Sequence, residues 1–314
     1  MNSKNKILVT GACGQLGTEL VAALSKQHGA ENVIATDVLP GSEVPLNVLD
    51  VAALSKLVAG QGISEIYHLA ALLSAKGECD PQQAWHLNMQ GLLNVLEVAA
   101  YHQVKKVFWP SSIAVFGPDS PRAACVQSAK ADPTTIYGIS KQAGEYWCRW
   151  YAQHRGLDVR SIRYPGLIGY GAPAGGGTTD YAVDIFHEAL AHGAYTCFLK
   201  EDTLLPMLYM PDAIRGTLEL MAAPKEKLSI QTSYNLGGLH FTPRQLALAI
   251  GRHLPGFTMS YAPDERQQIA DSWPSGILDL EARRDWNWQP QYDLDTMVSD
   301  MIAHLKPQYL HEKI

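Results

Sequence analysis

Three glycines at a spacing of three, Gly11-Ala-Cys-Gly14-Gln-Leu-Gly17, constrain this chain more than any other feature. Directly before them, residues 6–10 (Lys-Ile-Leu-Val-Thr) form a short apolar, β-rich run that reads as a buried parallel strand. Directly after them, Leu16, Leu20, Val21 and Leu24 recur at helical spacing. Strand, glycine turn and helix start in that order make a phosphate cradle. Glycine allows the tight turn and close backbone approach, and the helix N-terminus faces the anion.

The next segment says what the cradle holds. A second strand over residues 32–36 ends in Asp37, 20 residues after Gly17. An acid there accepts hydrogen bonds from adenosine ribose hydroxyls and repels a 2′-phosphate, and no arginine lies nearby to offset it. The predicted cofactor is NAD. Residues 46–51 lead into a short helix, with Asp50 within reach of the adenine edge. A third strand over 65–71 ends in Leu69, Ala70 and Ala71, small enough at the alanines for a cofactor to pass close to the backbone. Asp80-Pro81 opens a helix that continues through Trp85, Asn88, Leu92, Val95, Leu96 and Ala99. Residues 105–109 form a fourth strand ending in Pro110-Ser111-Ser112, and 157–163 a fifth ending in Tyr164-Pro165-Gly166. This alternation predicts an α/β fold, a right-handed, doubly wound parallel sheet of the Rossmann type. Ligands bind such sheets at the carboxyl ends of the strands, where Gly11, Asp37, Ala70, Ala71, Ser111 and Ser112 all lie.

Between the fourth and fifth strands stands Tyr137-Gly-Ile-Ser-Lys141, in a stretch that reads as helix. A spacing of four places both side chains on one helix face. Tyrosine ordinarily ionises near pH ~10. A neighbouring ammonium favours the phenolate, so the pair is expected to act as a proton acceptor with a lowered tyrosine pKa.

Beyond the fifth strand the chain changes character. Residues 169–179 are rich in glycine, proline and small side chains, and Gly175-Gly-Gly-Thr178-Thr179-Asp180 opens a helix over 181–192. A glycine run feeding a threonine-capped helix presents free N–H groups and the positive dipole end to a substrate carboxylate. A flexible linker with an ordinary cap fits the same residues. Helix patterns at 211–221 and from Thr242-Pro243, with a strand and turn at 233–238, predict a smaller C-terminal lobe. The expected division is 1–168 for cofactor and 169–314 mainly for substrate, part of the later chain returning to the first domain. Trp273-Pro274 and Asp285-Trp286-Asn-Trp288 read as packing clusters.

Composition excludes several functions. Apolar residues make up 46% and charged ones 18%, a globular profile. A net charge of −6 with no basic run argues against nucleic acid as a partner. No stretch approaches the roughly 20 apolar residues of a membrane span, so no membrane partner is expected. The first six residues lead straight into a strand, leaving no room for a signal peptide. The five scattered cysteines read as reduced thiols of a cytoplasmic protein. His187-Glu188 and His192 are spaced by five where a zincin helix needs four. No metal is expected.

Taken together, Gly11-x-x-Gly14-x-x-Gly17, Asp37, Ser112-Ile-Ala-Val-Phe-Gly117, Tyr137-x-x-x-Lys141 and Arg163-Tyr-Pro-Gly166 resemble the extended short-chain dehydrogenase/reductase family. Phe116 stands where that family usually has tyrosine. Nearly end to end, through Ser161–Tyr170, Gly175–Asp184, Leu205–Ala213 and Ala270–Pro274, the chain resembles the short-chain type of L-threonine 3-dehydrogenase. The resemblance implies NAD-dependent oxidation of the L-threonine 3-hydroxyl to 2-amino-3-ketobutyrate without a metal. It implies Tyr137 as base, Lys141 as holder of the nicotinamide ribose and tuner of Tyr137, and Ser112 as the group orienting the reacting oxygen, with Ser111 its substitute. Ser74, Thr178 and Thr179 are then candidates for the amino-acid head group. Gln15 and Leu16 would bind the pyrophosphate, Asp50 and Val51 border the adenine, and Tyr164, Pro165 and Leu167 the nicotinamide. Leu69 and Asn88 complete the implied cofactor contacts. A homodimer is implied through the Tyr137 helix and the helix over 82–101. Competing readings are a nucleotide-sugar epimerase or dehydratase, using Arg215, Arg283 and Arg284 as cations, and a non-catalytic NAD-binding sensor.

Overall fold

The computed structural model describes residues 6–310; residues 1–5, read above as running straight into the first strand, lie outside the described residues. The first strands are β1 (Lys6–Thr10), β2 (Val33–Asp37), β3 (Val44–Pro45), β4 (Ile63–His68), β5 (Lys106–Ser112) and β6 (Asp158–Tyr164). They are followed by β7 (Gly166–Ile168), β8 (Ala194–Cys197), β9 (Leu205–Tyr209), β10 (Tyr234–Asn235), β11 (Leu239–Phe241) and β12 (Thr258–Tyr261). Seven form one parallel sheet in the order β10-β6-β5-β4-β1-β2-β3. The winding direction reverses between β1 and β4, and that switch point is where a ligand crevice opens in such a sheet.

Alternation along the strands covers both faces. Ile7, Val9, Tyr67, Phe108 and Ile162 pack on one side against α1 (Gln15–His28). Leu8, Ile66, Val107 and Val159 pack on the other against α2 (Val51–Gln61). Three short helical pieces follow, α3 (Ser74–Cys79), α4 (Pro81–Trp85) and α5 (Gly91–Tyr101), and then the long α6 (Ile136–His154). Leucine and valine side chains of α5, with Cys148 and Tyr151 of α6, complete that second face.

The second half makes its own core from α7 (Tyr181–His192), with two small sheets, β11-β9-β7 and β12-β8. It does not leave the first half, because α8 (Met210–Ala222) packs Ile214 and Leu220 onto the main sheet and β10 extends that sheet beside β6. The smaller sheet already begins with β7, at Gly166. Further along the lobe follow α9 (Pro243–His253), α10 (Arg266–Ser272), α11 (Leu280–Trp286) and α12 (Leu294–Leu310).

Two elements differ from expectation. The fourth strand continues through Pro110 to Ser112, because β4 pairs with β5 only as far as Phe108. A proline beyond that point deprives no ladder of a donor on that side. The helix expected from Pro81 through Ala99 is interrupted by a π turn over His86–Gln90. The extra residue turns Asn88 inward, where it is buried.

Candidate active site

A cleft of about 430 Å³ opens at the switch point and runs from the glycine turn to the loop before α7. Its floor explains two of the glycines. Gly11 has φ +73°, and a β-carbon on it would lie 2.5 Å from the Ala70 backbone nitrogen. A β-carbon on Gly17 would lie 2.2 Å from the Gly11 carbonyl oxygen. Gly14 is the N-cap of α1 and offers no side-chain cap, so the first-turn N–H groups at Gln15, Leu16 and Gly17 face the cleft these residues line. Asp37 is buried and ties the end of β2 to this turn. One carboxylate oxygen accepts the Cys13 N–H at 3.0 Å, the other the N–H groups of Val38 at 2.7 Å and Leu39 at 3.0 Å. A carboxylate has about four acceptor sites, which leaves capacity for a ribose hydroxyl. The bare glycine cradle with an acid beside it fits a dinucleotide.

Tyr137 and Lys141 lie one turn apart on α6, whose start is capped by Thr135 accepting the Gly138 N–H. The Lys141 ammonium sits 5.4 Å from the Tyr137 ring centroid and 4.6 Å from that of Trp109, and donates to the Pro110 carbonyl at 2.6 Å. Their protonation is the reverse of the expected tuning. Burial pushes the Tyr137 phenol up to about 12, opposed by a hydrogen bond with Ser112. Burial pulls Lys141 down to about 7, opposed by Cys148 and Glu145. The protein's own groups therefore favour neutral tyrosine, because burial disfavours the charged form of each side chain.

The two serines diverge. Ser112 lines the cleft beside Tyr137, and its hydroxyl accepts the Ala114 N–H at 3.2 Å. Ser111 also touches the cleft, but its hydroxyl donates to Glu145 at 2.7 Å in the interior. It is no substitute for Ser112, since neighbouring strand residues point to opposite faces. Glu145 is held in turn by Arg163, Nε to Oε1 and Nη2 to Oε2 both at 2.7 Å, with all partners buried.

The other expected contacts fall into place differently. Tyr164, Pro165 and Leu167 all line the cleft, but the Tyr164 ring is buried against Phe108 and its hydroxyl meets Thr217. Asn88 is not among the residues lining the cleft. Its amide holds the Leu72 backbone, accepting the N–H at 2.8 Å and donating to the carbonyl at 3.1 Å, and so fixes the loop after β4. Asp50 caps α2 by accepting the Ala53 N–H at 3.0 Å and Val51 is exposed beside it; like Asp37, both stand outside the residues lining the cleft. Leu69 and Ala71 line it, whereas Ala70 meets Gly11 through its backbone.

At the far end Ser74, at the start of α3, meets Thr178 across 3.4 Å, although 104 residues separate them. Thr179 lines the cleft beside them. Two N–H groups of the glycine run, those of Gly176 and Gly177, are already taken. Asp180, not a threonine, is the N-cap residue of α7, and its carboxylate accepts the N–H groups of Gly176 and Gly177, both at 2.7 Å. Burial raises its pKa. Sequence reasoning missed this competitor, although an acid three residues after paired glycines is a signal for it. Trp273 packs in the lobe core as expected, and lines the cleft as well. Trp286 and Trp288 do pack, the first 4.5 Å from the Tyr234 ring and the second fully buried.

The chain matches the model of the NAD dependent epimerase/dehydratase family over residues 7–237. Among curated proteins it is 43% identical to an uncharacterized epimerase/dehydratase of Staphylococcus haemolyticus, covering 96% of this chain and 98% of the relative. It is 44% identical to the mitochondrial L-threonine 3-dehydrogenase of Bos taurus, covering 95% of this chain and 82% of the relative. Among solved structures, a GalE-like L-threonine dehydrogenase from Cupriavidus necator in holo form superposes with a TM-score of 0.94 at 56% identity, over 96% of this chain and all of the other. A monomeric L-threonine 3-dehydrogenase from a metagenome, in apo form, gives a TM-score of 0.94 at 44% identity, over 96% and 99% of the two chains.

Proposed function

The chain belongs to the NAD dependent epimerase/dehydratase family, the extended short-chain dehydrogenase/reductases, and we propose that it oxidises the 3-hydroxyl of L-threonine with NAD as acceptor. The observation that carries this reading is the far wall of the cleft. Ser74, Thr178 and Thr179 close it with hydroxyls beyond Tyr137 and Ser112, on the scale of a small polar amino acid. The arginines that a nucleotide-sugar reading needs are committed elsewhere. Arg215 pairs with Asp212 and Glu219, Arg283 with Asp279 and Arg284 with Asp285, and none is among the lining residues. The identities to threonine dehydrogenases point the same way.

In this reading the turn at Gly11–Gly17 and Asp37 hold the dinucleotide, and Lys141 holds the nicotinamide ribose. When bound, oxidised NAD supplies the hydride acceptor and a positive charge beside the phenol. Ser112 orients the threonine 3-hydroxyl, and Tyr137 takes its proton as the C3–H bond breaks. Asp37 selects NAD over NADP by charge repulsion of a 2′-phosphate.

The test is absorbance growth from NADH with purified protein, comparing L-threonine with other 3-hydroxy acids and UDP-sugars, each with NAD and NADP. Growth with L-threonine and NAD far above the other combinations is expected. Absence of growth with L-threonine would sink the proposal.

Dimerisation is part of the same proposal. Ile139, Tyr146, Trp147 and Trp150 are exposed along one face of α6, with exposed Trp85 on α4 nearby in the chain's fold. An apolar stripe of that size on a helix suits a helix-to-helix contact between copies. Light scattering should give twice the 34.4 kDa chain mass, and the Trp147→Glu/Trp150→Glu variant should give the single-chain value. A wild-type protein at the single-chain mass overturns it. The five unpaired cysteines, three of them buried, support a reducing compartment such as the cytoplasm. No helix among the described residues is long and apolar enough to cross a membrane.

A further inference from the structure

Within the loop expected to receive a carboxylate, the Gly176 and Gly177 N–H groups are taken by Asp180, whose own negative side chain lines the cleft. A substrate carboxylate in this cleft therefore needs another positive partner. Two cationic side chains line the cleft among the described residues, Lys141 and Lys76. Lys141 is buried at the far side of Tyr137 and bonded to the Pro110 carbonyl. Lys76 stands at the opposite end, on α3, two residues after Ser74.

The walls meet there in register. Ser74 touches Thr178, and two residues on, the Lys76 stem lies along Gly176, its Cε 3.0 Å and its Cγ 3.3 Å from where a β-carbon on Gly176 would sit. The same two elements thus bring the ammonium to the mouth of the pocket whose inner end carries the hydroxyl pair. The stem is fixed by packing on a glycine that has no side chain, while the charged tip is exposed. Its charge is felt at Asp180, but Lys76 forms no ion pair among the described residues. A lysine in this position has its stem ordered in advance and its charge free for an incoming anion.

We propose that Lys76 is a specificity-determining residue that pairs with the substrate carboxylate at the cleft mouth, while the Ser74 and Thr178 hydroxyls bond it from within. The inference rests on the proposed oxidation of an amino acid and adds the group that distinguishes the acid from its uncharged analogues. Lys76 takes no part in proton or hydride transfer, so it acts on KM and not on kcat.

The experiment compares L-threonine with L-threoninamide, which keeps the reacting hydroxyl and lacks the carboxylate, in wild type, Lys76→Met and Lys76→Arg. Methionine keeps the unbranched stem on Gly176 and removes the charge. For L-threonine, Lys76→Met should raise KM by roughly fivefold with kcat unchanged, a size set by the modest worth of one partly solvated ion pair. For L-threoninamide the two proteins should share one KM, and Lys76→Arg should restore the wild-type KM for the acid. NAD affinity, read by cofactor fluorescence or calorimetry, should match in all three. An equal rise for acid and amide, or no rise for either, overturns the assignment of Lys76 while leaving threonine oxidation intact. No NADH from wild type with L-threonine overturns both readings, and the wild-type arm alone makes that distinction.

Discussion

Tyr137→Phe should lower kcat for L-threonine oxidation by about 10²- to 10⁴-fold, the usual worth of a positioned general base, while NAD binds as before. The substitution removes one oxygen and keeps the ring in its half-buried seat between Ser112 and Lys141. The pH profile adds a second readout. The phenol starts from about 12 and Lys141 from about 7 on the protein's own groups. Wild-type kcat/KM should therefore rise with pH as the phenolate becomes accessible, and Tyr137→Phe should lose that rising limb. Near-normal turnover in the variant would remove Tyr137 from the chemistry. A lost limb with normal turnover at high pH would leave it as a pH-sensing neighbour instead.

The raised phenol also shows where sequence reasoning stops. The spacing of Tyr137 and Lys141 correctly placed them on one helix face, because helical periodicity is local. It could not give their protonation, which depends on burial contributed by β4, β5 and the loop after them. Thr242-Pro243 is the local case at its clearest: the threonine cap, the proline in the first turn and a reciprocal bond from Gln245 all form where the residues predict a helix start. Ser112 is preferred over Ser111 from the sequence, and strand alternation gives the physical reason, since it sends their hydroxyls in different directions. Tyr164 is a different matter, since its hydroxyl is claimed by Thr217, 53 residues away. The π turn that aims Asn88 at Leu72 has no distinct residue pattern, because Trp85, Asn88 and Leu92 are as compatible with an unbroken helix. The strand ends, the glycine turn and the acid after β2 were legible because each is a short-range constraint on backbone or charge.

The ion pair behind the site gives the second large effect. Glu145 and Arg163 are both buried, with two contacts of 2.7 Å between them, and Ser111 donates a third bond to the same carboxylate. Removing one partner leaves the other charged inside the protein, which typically costs about 3–5 kcal/mol. Glu145→Leu should therefore lower stability by that order, read as the shift of the urea midpoint at constant slope. Arg163 would keep only the carbonyl of Gln127 and the Asn235 side chain as acceptors. The double variant Glu145→Leu/Arg163→Met removes both charges, and it should recover most of the loss, because replacing a whole buried pair by apolar groups is often nearly neutral. The pair bridges α6 to β6, and Glu145 lies one turn beyond Lys141. The double variant should thus fold and bind NAD, yet oxidise threonine more slowly, since Lys141 loses the neighbouring carboxylate that supports its charge. A single variant as stable as wild type would mean that Arg163 finds other partners. A double variant as unstable as the single one would place the cost in packing rather than in the stranded charge.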